Sequence, residues 1–224
     1  MELYDAMRTM GSAREFKDQP VARAVLERMF EHARFAGNGG NRQGWHVIAV
    51  ESPAARAAVR RISETGFREY YAQAVAGFVP FAPSADGRWH GPPVDLEAAR
   101  ADQPEFGFGP SLEHAPVVLI VAVDLRTLAI TDIDAQHASI IGGASIYPFV
   151  HNILLAARNE GLGGVLTTFV CRDEAAIREL LAIPDSHAVA AVVALGYPAQ
   201  QITKLRRKPV ADFVTVDRFD GLAW

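Results

Sequence analysis

Residues 37–50 read "GNGGNRQGWHVIAV". A helical pattern ends at Gly37, and an apolar strand pattern begins at Trp45. Gly and Asn carry a chain out of a helix because they tolerate positive φ, so Gly39 and Gly40 are accounted for by a turn. A turn does not account for the amides at Asn38, Asn41 and Gln43. That surplus of hydrogen-bonding side chains between a helix and a strand is the feature to explain.

Outward from this loop, the patterning alternates. Upstream, residues 2–10 predict a short helix. The stretch "PVARAVLERMFEHARFAG" predicts a stronger one, with Leu26, Met29, Phe30 and Ala33 on one face. Downstream, residues 45–51 predict a strand, and Ser52 with Pro53 reads as an N-cap followed by proline at the first helical position. Residues 66–112 change character, with many prolines and aromatics, and read as a long excursion whose first part is open to a helical reading. A buried strand is predicted at 117–124, and a long helix at roughly 134–160, with Pro148 as a kink or a first turn. Then come a glycine turn into a buried strand at 161–170, a helix at 172–183 and a strand at 187–198. The tail, 199–224, is basic at "KLRRKP" and then extended. The alternation predicts one domain over 1–224, α+β or α/β in class.

Composition narrows the functions. Half of the 224 residues are hydrophobic, the formal charge is −4, and the basic residues are scattered, so nucleic acid is not an expected partner. The lone cysteine, Cys171, precludes an internal disulfide and fits a reducing cytosol. The N-terminal residues lack an apolar signal region, and no run is long enough to span a bilayer, so a cytoplasmic protein is expected. "GLGGVL", "GFGPSL" and "GNGGNR" each fail the last glycine of a dinucleotide fingerprint, and no Gly-Lys pair exists for a phosphate loop. "GASIY" places Tyr147 where a hydrolase elbow needs glycine. The seven histidines have no pair at three- or four-residue spacing, so no metal site is expected, and His46 and His151 read as structural.

Three stretches together, "SAREF" at 12–16, "GNGGNRQGWHVIAV" at 37–50 and "YPFVHNILLAARNEGLGGVLTT" at 147–168, with the basic tail, resemble the nitroreductase family of FMN-dependent oxidoreductases. The resemblance covers nearly the whole chain. It implies an α+β fold of three-layer α/β/α type: a central, mostly antiparallel sheet flanked by helices, and a C-terminal extension swapped onto a dimer partner. It also implies FMN as cofactor and NADPH or NADH as electron donor. FMN offers a phosphate, a polar ring edge that turns anionic on reduction and an apolar ring system, which together call for cations, amides and small residues.

By that resemblance Ser12 meets the phosphate or ribityl chain, and Arg14 stabilises the reduced flavin. Gly37, Gly39 and Gly40 admit the cofactor, Asn38 or Asn41 bonds its polar edge, and Leu166, Thr167 and Thr168 lie beside the ring. Arg207, then Lys208, returns to the phosphate. Taken singly, Arg14 also reads as a surface ion-pair residue, Thr168 as a strand former and 206–208 as a solvated basic run. Phe81, Trp89, Phe106 and Phe108 in the excursion are the lid and substrate candidates, a surface loop being the other reading. The patch 142–145 with Pro148 is expected to wall the pocket from the second subunit, with His151 at the interface, the flavin lying there in a homodimer.

The chain departs from the family pattern at Met10 and Gly11, where two arginines are usual, and at Gly37, Asn38 and Gly44. Loss of a charge-assisted phosphate contact costs about 1.5–3 kcal/mol unless it is replaced. The expected activity passes hydride from NAD(P)H through flavin N5 to a nitroaromatic, quinone or similar flat acceptor by a ping-pong mechanism. The alternatives are a flavin-binding protein for storage, sequestration or regulation, and a binder of a deazaflavin or other ligand in the same cleft.

Overall fold

The computed structural model describes residues 1–84, 87–91, 94–95, 97–98 and 108–224, the side chains of 108–110 excepted. Its centre is a four-stranded antiparallel sheet in the order β1-β2-β4-β3, formed by β1 (Trp45–Ala49), β2 (Val117–Asp124), β3 (Gly163–Thr167) and β4 (His187–Gly196). β2 and β4 occupy the middle and are apolar along their whole length because both faces are covered.

Alternate residues of β2 show the two faces. Val117, Leu119, Val121 and Val123 pack with Met29 and Ala33 of helix α2 (Arg23–Ala33) and with Phe149, Val150 and Ile153 of a helix that spans Tyr147–Asn159. Val118, Ile120 and Ala122 face Val59 of helix α3 (Pro53–Val75), Leu112 of α4 (Phe108–His114) and Ile177 of a helix at Glu174–Leu180. With α1 at Leu3–Thr9, the last two helices are α5 and α6 in chain order. The result is the expected three-layer α/β/α arrangement around a mostly antiparallel sheet.

One open reading is settled, and two elements differ from the sequence reading. α3 continues to Val75 from its Ser52 cap, whose hydroxyl accepts the Ala55 N–H at 3.2 Å, so residues 66–75 of the supposed excursion are helix. The helix anticipated from residue 134 begins only at Tyr147, with Pro148 in its first turn, where a missing N–H costs nothing. Ahead of it, Ile141–Ser145 form a separate 3₁₀ turn. The strand of 161–170 stops at Thr167: Thr168, at φ −120° and ψ 11°, leaves extended geometry and starts the 3₁₀ turn Phe169–Asp173.

The tail does two things. Gln201 Nε2 donates to the Thr9 carbonyl at 3.3 Å, and Ile202 and Leu205 lie over Gly11. Residues 214–224 turn back on themselves, with Val216 N–H donating to Leu222 O at 2.9 Å and Trp224 N–H to Val214 O at 3.0 Å. Phe213, Phe219, Leu222 and Trp224 remain exposed.

Candidate functional site

β1 begins and β2 ends at one end of the sheet, so the loop 37–44 and the segment after β2 meet there, whereas β3 forms the opposite edge and its last residue, Thr167, pairs with Val192 at the level of Ile120 and Ile48 in mid-sheet. The loop is strained: Gly40, Asn41 and Gln43 have φ of 62°, 54° and 51°. Most of its polar side chains are consumed in holding that shape. Asn38 donates from Nδ2 to Ala36 O at 3.2 Å and accepts the Gln43 N–H on Oδ1 at 2.9 Å. Gln43 Nε2 donates to Asn41 O at 3.2 Å. Arg42 donates to the carbonyls of Thr127 and Leu128 at 3.4 and 3.3 Å.

Gly39 is small for a reason inside the chain. A Cβ there would stand 2.9 Å from Ala129 Cβ and 3.2 Å from Ser145 Oγ, and the Gly39 N–H donates to that same hydroxyl at 3.2 Å. At Gly44 a Cβ would lie 1.8 Å from Thr127 Oγ1. The loop is therefore docked on residues 124–145, a contact that no periodicity in the sequence announces. Thr127 and Arg42 were missed for that reason, and Ser145, read as part of the patch 142–145, also holds the loop of its own chain. Gly37 has nothing within 4 Å of its Cβ position. Asn41 is exposed, and its amide makes no bond to the described residues.

The segment 12–14 runs along β3. Ala13 N–H donates to Gly164 O at 3.0 Å, and Ser12 bridges Gly164. Ser12 and Arg14 are exposed, and the Arg14 guanidinium has no hydrogen bond or ion pair among the described residues. On β3, Leu166 is half-buried against the core, Thr167 is buried with its hydroxyl accepting the Phe169 N–H at 3.4 Å, and Thr168 is exposed. Arg207 and Lys208 are exposed on the tail, Arg207 donating to Arg206 O at 2.7 Å.

The departures at Met10 and Gly11 have a packing cause. Met10 packs against the core, and a Cβ on Gly11 would stand 3.0 Å from Ile202 Cδ1 and 3.1 Å from Leu205 Cδ2. A side chain at 11 would require the ends of the Ile202 and Leu205 side chains to give way.

A sequence model described as the Nitroreductase family matches residues 8–197. The chain belongs to the Nitroreductase family. A Thermus thermophilus protein named NADH dehydrogenase is 28% identical over 200 residues, covering 89% of this chain and 88% of that one. A 4-nitrobenzoate reductase from Nocardioides sp. is 28% identical, covering all of this chain and 91% of its own. In fold, this nitroreductase-family chain is similar to the NADPH:FMN oxidoreductase from Vibrio harveyi, solved with NAD+, at a TM-score of 0.69 and 18% identity, covering 98% and 79% of the two chains.

Of the lid candidates, Phe81 and Trp89 contact each other, with ring centroids 5.6 Å apart, and lie over Arg172. Phe106 lies outside the described residues. Phe108 opens α4, and its side chain is likewise outside them. His151 lines an open groove with Gly143, Ala144, Tyr147 and Pro148, and burial raises the Tyr147 hydroxyl's pKa. Burial first and Glu174 second push the Cys171 thiol up to about 11, which makes it an inert core residue. Among the described residues no cluster of His, Cys, Asp or Glu is arranged to hold a metal, and no described helix is long and apolar enough to cross a membrane.

Proposed function

We propose that the chain is an FMN-dependent NAD(P)H oxidoreductase that reduces a nitroaromatic, quinone or other flat acceptor. The observation that carries the reading is a division of labour among polar side chains, in the loop 37–44 at one end of the sheet and at Arg14, next to the start of β3, toward the other. Asn38, Arg42 and Gln43 are spent on the loop's own backbone contacts, while the Asn41 amide and the Arg14 guanidinium are left unpaired among the described residues. Since the two lie toward opposite ends of the sheet, the amide of one subunit and the cation of the other suit a polar ring edge that gains negative charge at a homodimer interface.

FMN, when bound, supplies the hydride chemistry. Arg14 stabilises negative charge at the polar edge, and Asn41 orients that edge by hydrogen bonding. Leu166, Thr167 and Thr168 wall the ring, and Gly37 leaves room beside the loop. Ser12, Arg207 and Lys208 hold the phosphate, the tail cations standing in for the arginines lost at positions 10 and 11. The 4-nitrobenzoate reductase relative and the NADPH:FMN oxidoreductase fold neighbour support this choice of donor, cofactor and acceptor. One pocket then serves NAD(P)H and acceptor in turn, so initial-rate plots are parallel in double-reciprocal form; intersecting lines exclude this order.

The exposed Phe213, Phe219, Leu222 and Trp224 at the C-terminus support a homodimer in which the tail crosses to the partner, with the patch 142–145 and Pro148 facing the second site. The deciding experiment is the visible spectrum of the purified protein before and after anaerobic NADPH, then NADH. Flavin bands that bleach are expected. A colourless protein that added FMN does not reconstitute overturns the reading. Arg14→Ala is expected to lower the flavin potential by about 30 mV, the two-electron equivalent of a tenfold change; an unchanged potential removes Arg14 from its role.

A further inference from the structure

The base of the aromatic excursion is tied down by polar groups that the core should not otherwise contain. Glu69 is fully buried on α3, and one turn later Gln73 is 1% exposed. Glu69 accepts from Arg172 Nε at 2.5 Å and from Nη2 at 3.4 Å. Gln73 donates to the Glu69 carbonyl at 3.0 Å and accepts the Phe81 N–H on Oε1 at 3.0 Å. That last bond holds Phe81 at φ 55°, a conformation that a bulky residue keeps only when its surroundings dictate it.

Phe81 and Trp89 lie with their ring centroids 5.9 and 5.1 Å from the Arg172 guanidinium carbon. A guanidinium under two aromatic rings, with its charge balanced from below by a buried carboxylate, fixes the rings by cation–π attraction and hydrogen bonds together. Packing enforces the approach: a Cβ on Gly66 would stand 2.7 Å from Phe169 O and 3.0 Å from Arg172 Cγ. Arg172 belongs to the 3₁₀ turn that directly follows Thr167 and Thr168. One bracket thus joins the aromatic segment to the end of the strand assigned to the flavin.

We propose that Glu69, Gln73 and Arg172 are positioning residues that hold Phe81 and Trp89 as the aromatic wall of the acceptor pocket, setting affinity for flat acceptors without touching them. The proposal rests on the flavin reading above. A single buried pair tuning acceptor affinity from outside the pocket follows from the chain of contacts: Glu69 orients Arg172, Arg172 orients the two rings, and the rings stack on the acceptor.

The test uses the flavin-loaded protein with Arg172→Lys, Glu69→Gln and Trp89→Leu. Lysine retains a charge for Glu69 but loses the flat face beneath the rings. Iodide quenching of Trp89, taken as the difference between each background and its Trp89→Phe partner, reads the bracket. KM and kcat for 1,4-benzoquinone and nitrobenzene read the wall. Arg172→Lys and Glu69→Gln are expected to raise the Trp89 quenching constant about threefold and KM about tenfold, with kcat within about twofold. Trp89→Leu leaves the buried pair intact and is expected to raise KM equally, which keeps the test open if the charge variants fold poorly. Unchanged quenching in the charge variants overturns the bracket, and unchanged KM in Trp89→Leu overturns the wall. Failure of the flavin reading shows earlier and separately, in the spectrum of the parent protein.

Discussion

The loop 37–44 and the base of the aromatic segment, residues 66–84 and 87–89, are both anchored across the fold, but by opposite means. The loop is held at the surface by hydrogen bonds from the Gly39 N–H to Ser145 and from the exposed Arg42 to two backbone carbonyls, and by glycines at 39 and 44 that let it lie on residues 127–145. The aromatic base is held inside by a buried carboxylate, a guanidinium and an amide. Exposed surface bonds contribute little singly and tolerate loss; a buried charge is costly once its partner goes. One anchor can adapt to a ligand, whereas the other locks two rings in place.

That contrast is broken or sharpened first by Glu69→Ala. Removing the buried carboxylate leaves Arg172 uncompensated, but its side chain is one-third exposed, so water offsets part of the loss. The expected destabilisation is about 3 kcal/mol, read as a fall in Tm of roughly 5–10 °C. Gly44→Ala, pushing a Cβ to 2.8 Å from Thr127 Cβ as well as into its hydroxyl, forces a local backbone shift and is expected to cost less, about 2 kcal/mol, because no buried charge is left unpaired. A larger effect at Gly44 than at Glu69 would reverse the ranking of the two anchors.

A finer comparison lies within the loop. Asn38→Ala is expected to lower stability by about 1 kcal/mol, since it removes the bonds to Ala36 and Gln43. Asn41→Gly, which removes the amide and suits the φ of 54°, is expected to leave Tm nearly unchanged and weaken FMN about tenfold by titration. Equal effects of the two on Tm would mean that Asn41 too serves the fold.

The smallest effect is at Asp124, where the Arg126 side chain first, opposed by partial desolvation, and the Arg126 backbone N–H next hold the carboxyl down to about 2 from 3.8. A depressed carboxyl stabilises the fold above its unfolded pKa and loses that contribution as the pH falls through the folded value. The Tm gap between the parent and Asp124→Asn is therefore expected to close as the pH drops from about 4 to about 2. A gap that stays constant over that window would remove the ion pair as its cause.

The sheet was legible because its strands carry the signal themselves: "VVLIVAVD" and "HAVAAVVALG" are buried on both faces, and no other environment suits such runs. α2 and the apolar stripe of α5 were legible for the same reason, since period and burial agree. The start of α5 was not, because Asp132, Ser139 and the small residues at 141–145 settle into a hydrogen-bonded loop that helical periodicity does not exclude. In the loop 37–44, residue types announced a polar site but not its division of labour. Asn38 and Asn41 are the same side chain three positions apart, and only the fold turns one inward to the backbone and leaves the other in solvent.

By itself, then, the sequence determined the sheet, the flanking helices and the places where cations and amides collect, since each follows from local pattern and burial. Tertiary structure alone decided which of those groups stay free, why Gly11 lies beneath Ile202 and Leu205, and that Glu69 and Arg172, 103 positions apart, hold the aromatic segment. Those outcomes depend on contacts between distant segments, and the identity of a polar side chain carries no record of which distant partner will satisfy it.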